Sequence, residues 1–351
     1  MNLWAYTIRR LLLLIPTLLG LTLIVFILSH VSGNNVILAE YLSPKLTGAA
    51  RAIATQALIA RFHLNQPIYV QYFYWLNAIL HGNWGYTNTA IYSGPVTTAI
   101  ALFLPNTLML SAVAAILIWI IGVRFGVYSA VNRDSVSDHA LRVGSFTLYA
   151  MPIYLIGVAL IIVLGVYLKV LPISGVVSPT MVSGLSWYVN GISYPTHIII
   201  IDAMLHGAWG IALNAVIHLL LPAITLALAI VAGLIRILRS SMLEVLDQDY
   251  IRLARSKGLS ERIVYNLHAR KNALLPVITL FGLTVAGLLG GAVVVETIFN
   301  YPGIGYWTTQ ALLDSDVGGI MAATLLFGLI LVVANLLVDL IYAFVDPRIR
   351  Y

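Results

Sequence analysis

The run LLLLIPTLLGLTLIVFILSH, Leu11 to His30, carries no Asp, Glu, Lys or Arg along its whole length. A hydrocarbon core of ~30 Å is crossed by about 20 predominantly apolar residues in helical form, so this stretch reads as a transmembrane helix. It follows Arg9-Arg10, as the apolar part of a signal peptide would. The run is too long for that part, however, and no small-residue cleavage pattern follows His30, so the helix is expected to be retained. Five more windows of the same kind lie near Ala101–Val131, Ser145–Leu168, Ala212–Leu238, Ala273–Glu296 and Ile320–Val345. Pro16, Pro105, Pro152, Pro222 and Pro276 fall in or beside them. Membrane helices tolerate proline where neighbours satisfy the freed carbonyls. The expectation is an all-α polytopic membrane protein of about six transmembrane helices.

Composition agrees. Of 351 residues 60% are hydrophobic and 9% charged, whereas a soluble domain carries roughly a quarter charged residues. That is too little charge to wet a soluble globule or to sustain disorder. With no cysteine, thiolate metal sites, disulfides and Cys nucleophiles are excluded.

The net charge of +6 follows from topology and not from nucleic-acid binding. Six spans put both termini on one side. Fifteen of the 19 Lys and Arg fall on that side, among them Arg9, Arg10, Arg142, Arg239 and the cluster from Arg252 to Lys271. Only Lys45, Arg51, Arg61 and Lys169 fall on the other. Basic residues are retained in the cytoplasm during insertion, so both termini are expected to be cytoplasmic. Two large segments, Val31 to about Ile100 and Lys169 to about Ile211, then lie outside. The first holds Tyr69, Tyr72, Tyr74, Trp75, Trp84 and Tyr86, which suit interfacial anchors or a docking surface.

The spans carry almost no ionisable residue at mid-depth, which counts against an ion-coupled secondary transporter, whose charged or unwound coordination sites lie near the midplane. No G-x-x-x-x-G-K-[ST] and no H-E-x-x-H is present, so the chain has no P-loop for ATP and no zinc-protease signature. The eight His are scattered. An intramembrane enzyme is the weaker reading.

One polar segment carries detailed local instructions, SSMLEVLDQDYIRLARSKGLSERIVYNLHARKNALLP from Ser240 to Pro276. Ser241 with Glu244 fits a capping box, so a helix is expected to start or be re-set there. Leu243, Leu246, Tyr250 and Leu253 form one apolar stripe. Gly258 suits the left-handed residue that ends a helix. Ser260 is placed to cap a second helix with Glu261 in its first turn. The result is two short helices meeting at a corner, at about 242–272. Its Arg252, Arg255, Lys257 and Arg262 equally fit an amphipathic loop resting on anionic lipid.

The residue order separates these readings. Asp249-Tyr250-Ile251-Arg252-Leu253-Ala254-Arg255-Ser256-Lys257-Gly258-Leu259 resembles the cytoplasmic E-A-A…G motif of ABC-importer permeases, and more closely that of the dipeptide/oligopeptide/nickel group, B-type subunit. Arg252 and Leu253 stand where the motif has Glu and the first Ala; Ala254 and Gly258 hold. Further matching strings run along most of the chain: Leu104-Pro105-Asn106-Thr107-Leu108, Leu171-Pro172-Ile173-Ser174-Gly175 and Leu221-Pro222-Ala223-Ile224-Thr225-Leu226. Arg239-Ser240-Ser241-Met242-Leu243-Glu244-Val245, Glu296-Thr297-Ile298-Phe299 with Tyr301-Pro302-Gly303-Ile304-Gly305, and Val345-Asp346-Pro347-Arg348-Ile349-Arg350 complete the set. Gln66-Pro67 and Gly82-Asn83-Trp84-Gly85-Tyr86 resemble the group's outer segment more loosely.

The resemblance implies a type I ABC-importer transmembrane domain for di- or oligopeptides, with an oligosaccharide or nickel importer as the rival inside the class. It implies an N-terminal helix plus extracytoplasmic segment at 1–94, the permease domain at 95–345 and a cytoplasmic tail at 346–351. It also implies a prokaryotic plasma-membrane location and no catalytic residue, cofactor or metal on this chain, with ATP and Mg held by partners. Those partners are a second related permease, two ABC ATPase subunits and an extracytoplasmic solute-binding protein, within the lipid bilayer and without nucleic acid. Tyr250, Ile251, Arg252, Leu253, Ala254, Arg255, Ser256, Lys257, Gly258 and Leu259 would form the coupling helix seated in an ATPase cleft. Gly282, Ala286, Gly287, Gly290 and Gly291, with Gly122 and Gly126 on the second span, offer small-residue faces. Such faces serve close helix packing or an unobstructed path. Thr225, Thr279 and Thr284 could hydrogen-bond a solute, although Thr also bonds back to its own helix.

Overall fold

A computed structural model describes residues 3–31, 36–43, 45–189 and 191–345. In chain order these form α1 (Leu3–Val31), α2 (Val36–Tyr41), α3 (Gly48–Arg61), α4 (Ile68–Leu80), β1 (Tyr86–Asn88), β2 (Ser93–Pro95), α5 (Val96–Val131), α6 (Val136–Ala150) and α7 (Ile153–Leu160). A π-helical stretch, Ile161–Tyr167, continues α7. Then come α8 (Pro179–Val182), β3 (Tyr188–Val189), β4 (Ile192–Ser193), α9 (Ile199–Leu205), α10 (Trp209–Leu246), α11 (Asp249–Ser256) and α12 (Glu261–Ile263). A second π stretch, Val264–Ala269, leads into α13 (Arg270–Ala273), α14 (Leu275–Ile298), α15 (Ile304–Leu313) and α16 (Val317–Val345). The tail at 346–351, with most of its motif string, lies outside the described residues.

Among the described residues, four helices are long and apolar enough to cross a bilayer, or up to six if each of two bent pairs counts as one span. The chain is a multi-pass membrane protein. On α1 the side chains of Leu12, Ile15, Leu19 and Ile24 are exposed, as a lipid-facing helix requires. The expected third span, Ser145–Leu168, is not one straight helix. The chain turns by 111° between α6 and the α7 segment. The cause is local: proline disfavours α geometry in the residue before it, and Met151 is extended at φ −82, ψ 132.

Two compact units interleave along the sequence. The first comprises residues 1–107, 182–206 and 300–351. Here α1 packs on α16, and an aromatic-rich core gathers Phe26, Ile37, Tyr41, Phe62 and Trp75 from α1 to α4. Fully burying side chains of this size contributes roughly 2–3 kcal/mol each. Trp75 Nε1 donates to Glu40 Oε2 at 3.1 Å. Glu40 is otherwise enclosed, and burial pushes its carboxyl up to about 8. The β1–β2 hairpin is stitched to the turn after α15. Asp316 Oδ2 accepts from Thr87 Oγ1 and from Asn88 N at 3.0 Å, while Asp314 Oδ2 accepts from Ala90 N at 2.7 Å. Gly85, at φ +77, lies so close to the α2 backbone that a Cβ there would sit 2.7 Å from Glu40 O.

The second unit comprises residues 108–181 and 207–299. Its centre is α10, 38 residues and so about 57 Å long at ~1.5 Å per residue, which packs on α6, α7 and α14. A buried ion pair latches α6 to α10: Arg239 donates from Nε to Asp138 Oδ1 at 2.9 Å and from Nη2 to Oδ2 at 2.8 Å. Ser129 Oγ and Asp134 N complete the carboxylate's bonds.

The candidate coupling corner

The corner between α10 and α14 is built by the local signals of the sequence, with corrections at Ser241–Glu244, at Ser260 and in the apolar stripe. Ser241 and Glu244 do not start a helix, because α10 runs unbroken to Leu246. Packing decides this over the cap signal: Leu238 and Met242 are fully buried on the same face. The restart comes at Gln248, extended at ψ 149, with Asp249 in the first turn of α11.

The end of α11 falls as expected. Gly258 adopts φ +78. Its N–H donates to Arg255 O at 2.9 Å and Leu259 N–H donates to Ala254 O at 3.3 Å. These are the paired bonds of a Schellman termination. Ser260 occupies the N-cap position of α12, but its side chain makes no capping bond. The first turn is closed by charge instead. Arg255 donates through Nε to Glu261 Oε1 at 2.9 Å and through Nη2 to Oε2 at 3.3 Å. The guanidinium, then the Tyr265 hydroxyl, holds the Glu261 carboxyl below its ordinary range. This clasp bridges two helices across the glycine, a spacing that no single-helix periodicity reveals.

The faces of the corner divide sharply. Ile251 and Ala254 are buried against the second unit, at 0% and 7% exposure, whereas Tyr250 and Leu253 stand exposed at 42% and 56%. Leu259, Ile263 and Leu267 extend the exposed apolar surface. The single stripe expected from Leu243 through Leu253 is therefore split, because the turn at Asp247–Gln248 rotates α11 relative to α10. Arg252, Ser256 and Lys257 flank the exposed face. Tyr250 is steadied by Asn272, whose Nδ2 donates to the phenolic oxygen at 3.0 Å.

Of the path candidates, Thr225 is fully buried and its hydroxyl donates to Leu221 O at 2.9 Å, so it presents no free hydroxyl to a solute. On α14, Gly287 and Gly290 are exposed and a Cβ at either would meet nothing within 4 Å. Gly282 is half-buried; the side-chain environments of Ala286, Gly291 and Thr279 lie outside the description. Gly122 and Gly126 differ: a Cβ would lie 2.2 Å from Leu234 Cδ2 and 2.9 Å from Leu238 Cβ. That pair admits the close approach of α10.

The structure brings the motif strings together in pairs. Asn106 Nδ2 donates to Pro302 O at 3.0 Å, and Thr107 Oγ1 accepts from Ile304 N at 2.8 Å. Gly175 N donates to Phe299 O at 2.9 Å. Strings more than 120 residues apart thus serve as each other's hydrogen-bond partners. Asp138, which the sequence reading did not single out, belongs with Arg239 in the same way. Its only sequence signal is an acid placed among basic residues.

Comparison with known proteins gives a consistent result. Residues 122–351 match the family described as binding-protein-dependent transport system inner membrane component. The chain is 40% identical over 347 residues to the oligopeptide transport system permease protein AppB of Bacillus subtilis, covering 99% of each. It is 36% identical to the dipeptide transport system permease protein DppB of Escherichia coli K12, covering 99% of this chain and 98% of that one. The di/tripeptide transport system permease protein DppB of Pseudomonas aeruginosa is 37% identical over 347 residues, with 99% of each covered.

Proposed function

We propose, on the premise that this chain belongs to the family of binding-protein-dependent transport system inner membrane components, that it is a permease subunit of an ATP-driven importer for di- and oligopeptides. It forms half of the translocation path beside a second, related permease. An extracytoplasmic solute-binding protein delivers the peptide, and two ABC ATPase subunits, which hold ATP and Mg, drive the cycle. The chain itself holds no cofactor and performs no bond chemistry. Its location is a prokaryotic plasma membrane with both termini cytoplasmic, residues 1–94 forming the first helix and outer segment, 95–345 the permease domain and 346–351 the inner tail.

The observation that carries this reading is the divided corner. Ile251 and Ala254 fasten α11 to its own unit while Tyr250, Leu253 and Leu259 stand exposed beside positive charge. An ATPase cleft accepting that ridge would move α10 and α14 as the rigid bodies to which the corner is joined. The exposed glycines of α14 suit a surface facing the second permease or the path.

The test is uptake into proteoliposomes holding the chain with its copurified subunits and binding protein, using a labelled dipeptide, a labelled oligosaccharide and Ni²⁺ in parallel. ATP-dependent accumulation of the dipeptide alone is expected. Uptake by the isolated chain, or uptake driven by an ion gradient without ATP, would overturn the assignment. Preferential uptake of sugar or nickel would overturn the peptide specificity alone.

A further inference from the structure

We propose that the cleft between α6 and α10 binds the phosphate headgroup of an anionic phospholipid. The cleft has a volume of about 620 Å³, inside the ~300–1,000 Å³ of ordinary ligand pockets. Its lining is divided in the manner of a lipid. Arg142, Arg236, Ser145 and Ser240 supply charge and hydroxyl donors, and Val143 and Phe146 supply an apolar strip.

The charges balance in only one direction. Arg239 also lines the cleft, but its guanidinium is committed to Asp138. Arg142 and Arg236 make no ion pair among the described residues. Arg236 rests over the Tyr149 ring, 5.2 Å from its centroid, which steadies the cation without neutralising it. Two guanidinium groups without acidic partners favour an anion, and Arg pairs with phosphate oxygens bidentately.

The chemistry also separates the possible anions. A zwitterionic peptide would need an acceptor for its ammonium group, and no carboxylate lines the cleft. Asp138 is fully buried and already bonded. Free phosphate would use the arginines and leave the strip unused. Val143, Phe146 and Tyr149 repeat every third residue along α6 and are 67%, 73% and 60% exposed, a surface that an acyl chain covers. A phospholipid uses both halves. On the topology proposed above, Arg142 and Arg236 lie on the side of the termini, the cytoplasmic side, where anionic headgroups attract basic residues.

The experiment measures binding of spin-labelled phosphatidylglycerol and spin-labelled phosphatidylcholine to the full chain, with whatever subunits copurify, in dodecyl maltoside. Wild type is expected to favour phosphatidylglycerol at least tenfold. The double variant R142Q/R236Q should lose that preference, and R142K/R236K, which keeps both charges but not the bidentate fork, should retain part of it, which separates lost charge from lost fold. Millimolar inorganic phosphate should leave lipid binding unchanged. Equal binding of the two lipids by wild type, or a preference that survives R142Q/R236Q, would overturn the proposal. So would full displacement by inorganic phosphate or by a dipeptide, the first assigning the site to a free anion and the second to substrate. Because the readout is lipid binding in detergent, its failure leaves the permease assignment untouched.

Discussion

Substituting Gly258 tests the coupling role proposed for the corner. At φ +78 an L residue is strained, but a Cβ would meet nothing within 4 Å. Gly258→Ala therefore carries only the left-handed backbone cost of about 1–2 kcal/mol, roughly a five- to thirtyfold shift in local stability. Gly258→Arg carries the same backbone cost, and its longer side chain extends into open space. In the isolated chain the two variants should insert equally and melt within a few degrees of each other. They should part only when an ATPase subunit closes over the corner. If the partner approaches the backbone at Gly258, arginine must be displaced or desolvated there. We expect at least a tenfold further loss of ATPase association for Arg over Ala, about 1.4 kcal/mol, with uptake falling in proportion. The assay is copurification of the ATPase subunits with each variant, normalised to permease content, followed by ATP-dependent dipeptide uptake. Equal association and uptake for the two variants would refute the close approach, and normal uptake by Gly258→Arg would refute the lever.

Asp138→Asn should destabilise the second unit by roughly 3–5 kcal/mol, because it leaves the Arg239 cation without its buried partner; a melting curve in detergent that matches wild type would contradict this. Glu40 yields a pH prediction. Its carboxyl rises from 4.5 to about 8 on burial, so the fold favours the protonated form, and the associated stability is fully present below pH 4.5 and declines as pH rises through 8. Glu40→Gln, which keeps an acceptor for Trp75, should flatten the dependence of melting temperature on pH across that window. Gly318→Ala would place a Cβ 2.2 Å from Tyr86 O, a backbone atom that cannot swing aside, and should loosen the β1–β2 hairpin, read as faster proteolysis after β2. At Gly290, where the space is open, alanine should leave melting unchanged, so any loss of uptake there reports on the second permease or the path.

The long spans were legible because length and apolarity suffice to define them. α1, α5, α10 and α16 all contain their expected windows, and only their ends differ. Gly258 was legible because a left-handed helix end is a backbone requirement that few residues meet. Three features were not legible. The Ser241–Glu244 signal is locally sound, but burial of Leu238 and Met242 in a continuous helix outweighs a cap worth about 1 kcal/mol. The elements α2, β1 and β2, of six, three and three residues, are too short to show periodicity, and their order comes from contacts such as Asp316 with Thr87. The Asp138–Arg239 latch joins residues 101 positions apart, and no local pattern encodes such a pair.

On the coupling role proposed for the corner, the latch and the corner would keep force applied at Leu253 from being lost in bending. α11 is fixed to its unit by Ile251 and Ala254, and the Arg255–Glu261 clasp closes the angle across Gly258. That clasp is half-exposed and contributes ~1 kcal/mol or less to stability, so its value lies in orientation. Above it α10 is a single helix, tied to α6 by a bidentate buried pair and held close to α5 where Gly122 and Gly126 meet Leu234 and Leu238. Close-packed interfaces of this kind shift as blocks and do not deform continuously. A displacement at the corner would therefore reach α6, α7 and α14 with little attenuation. Breaking the clasp with Glu261→Gln should leave ATPase association nearly intact while reducing uptake per ATP hydrolysed. Loss of both in step would show instead that the clasp only shapes the docking face.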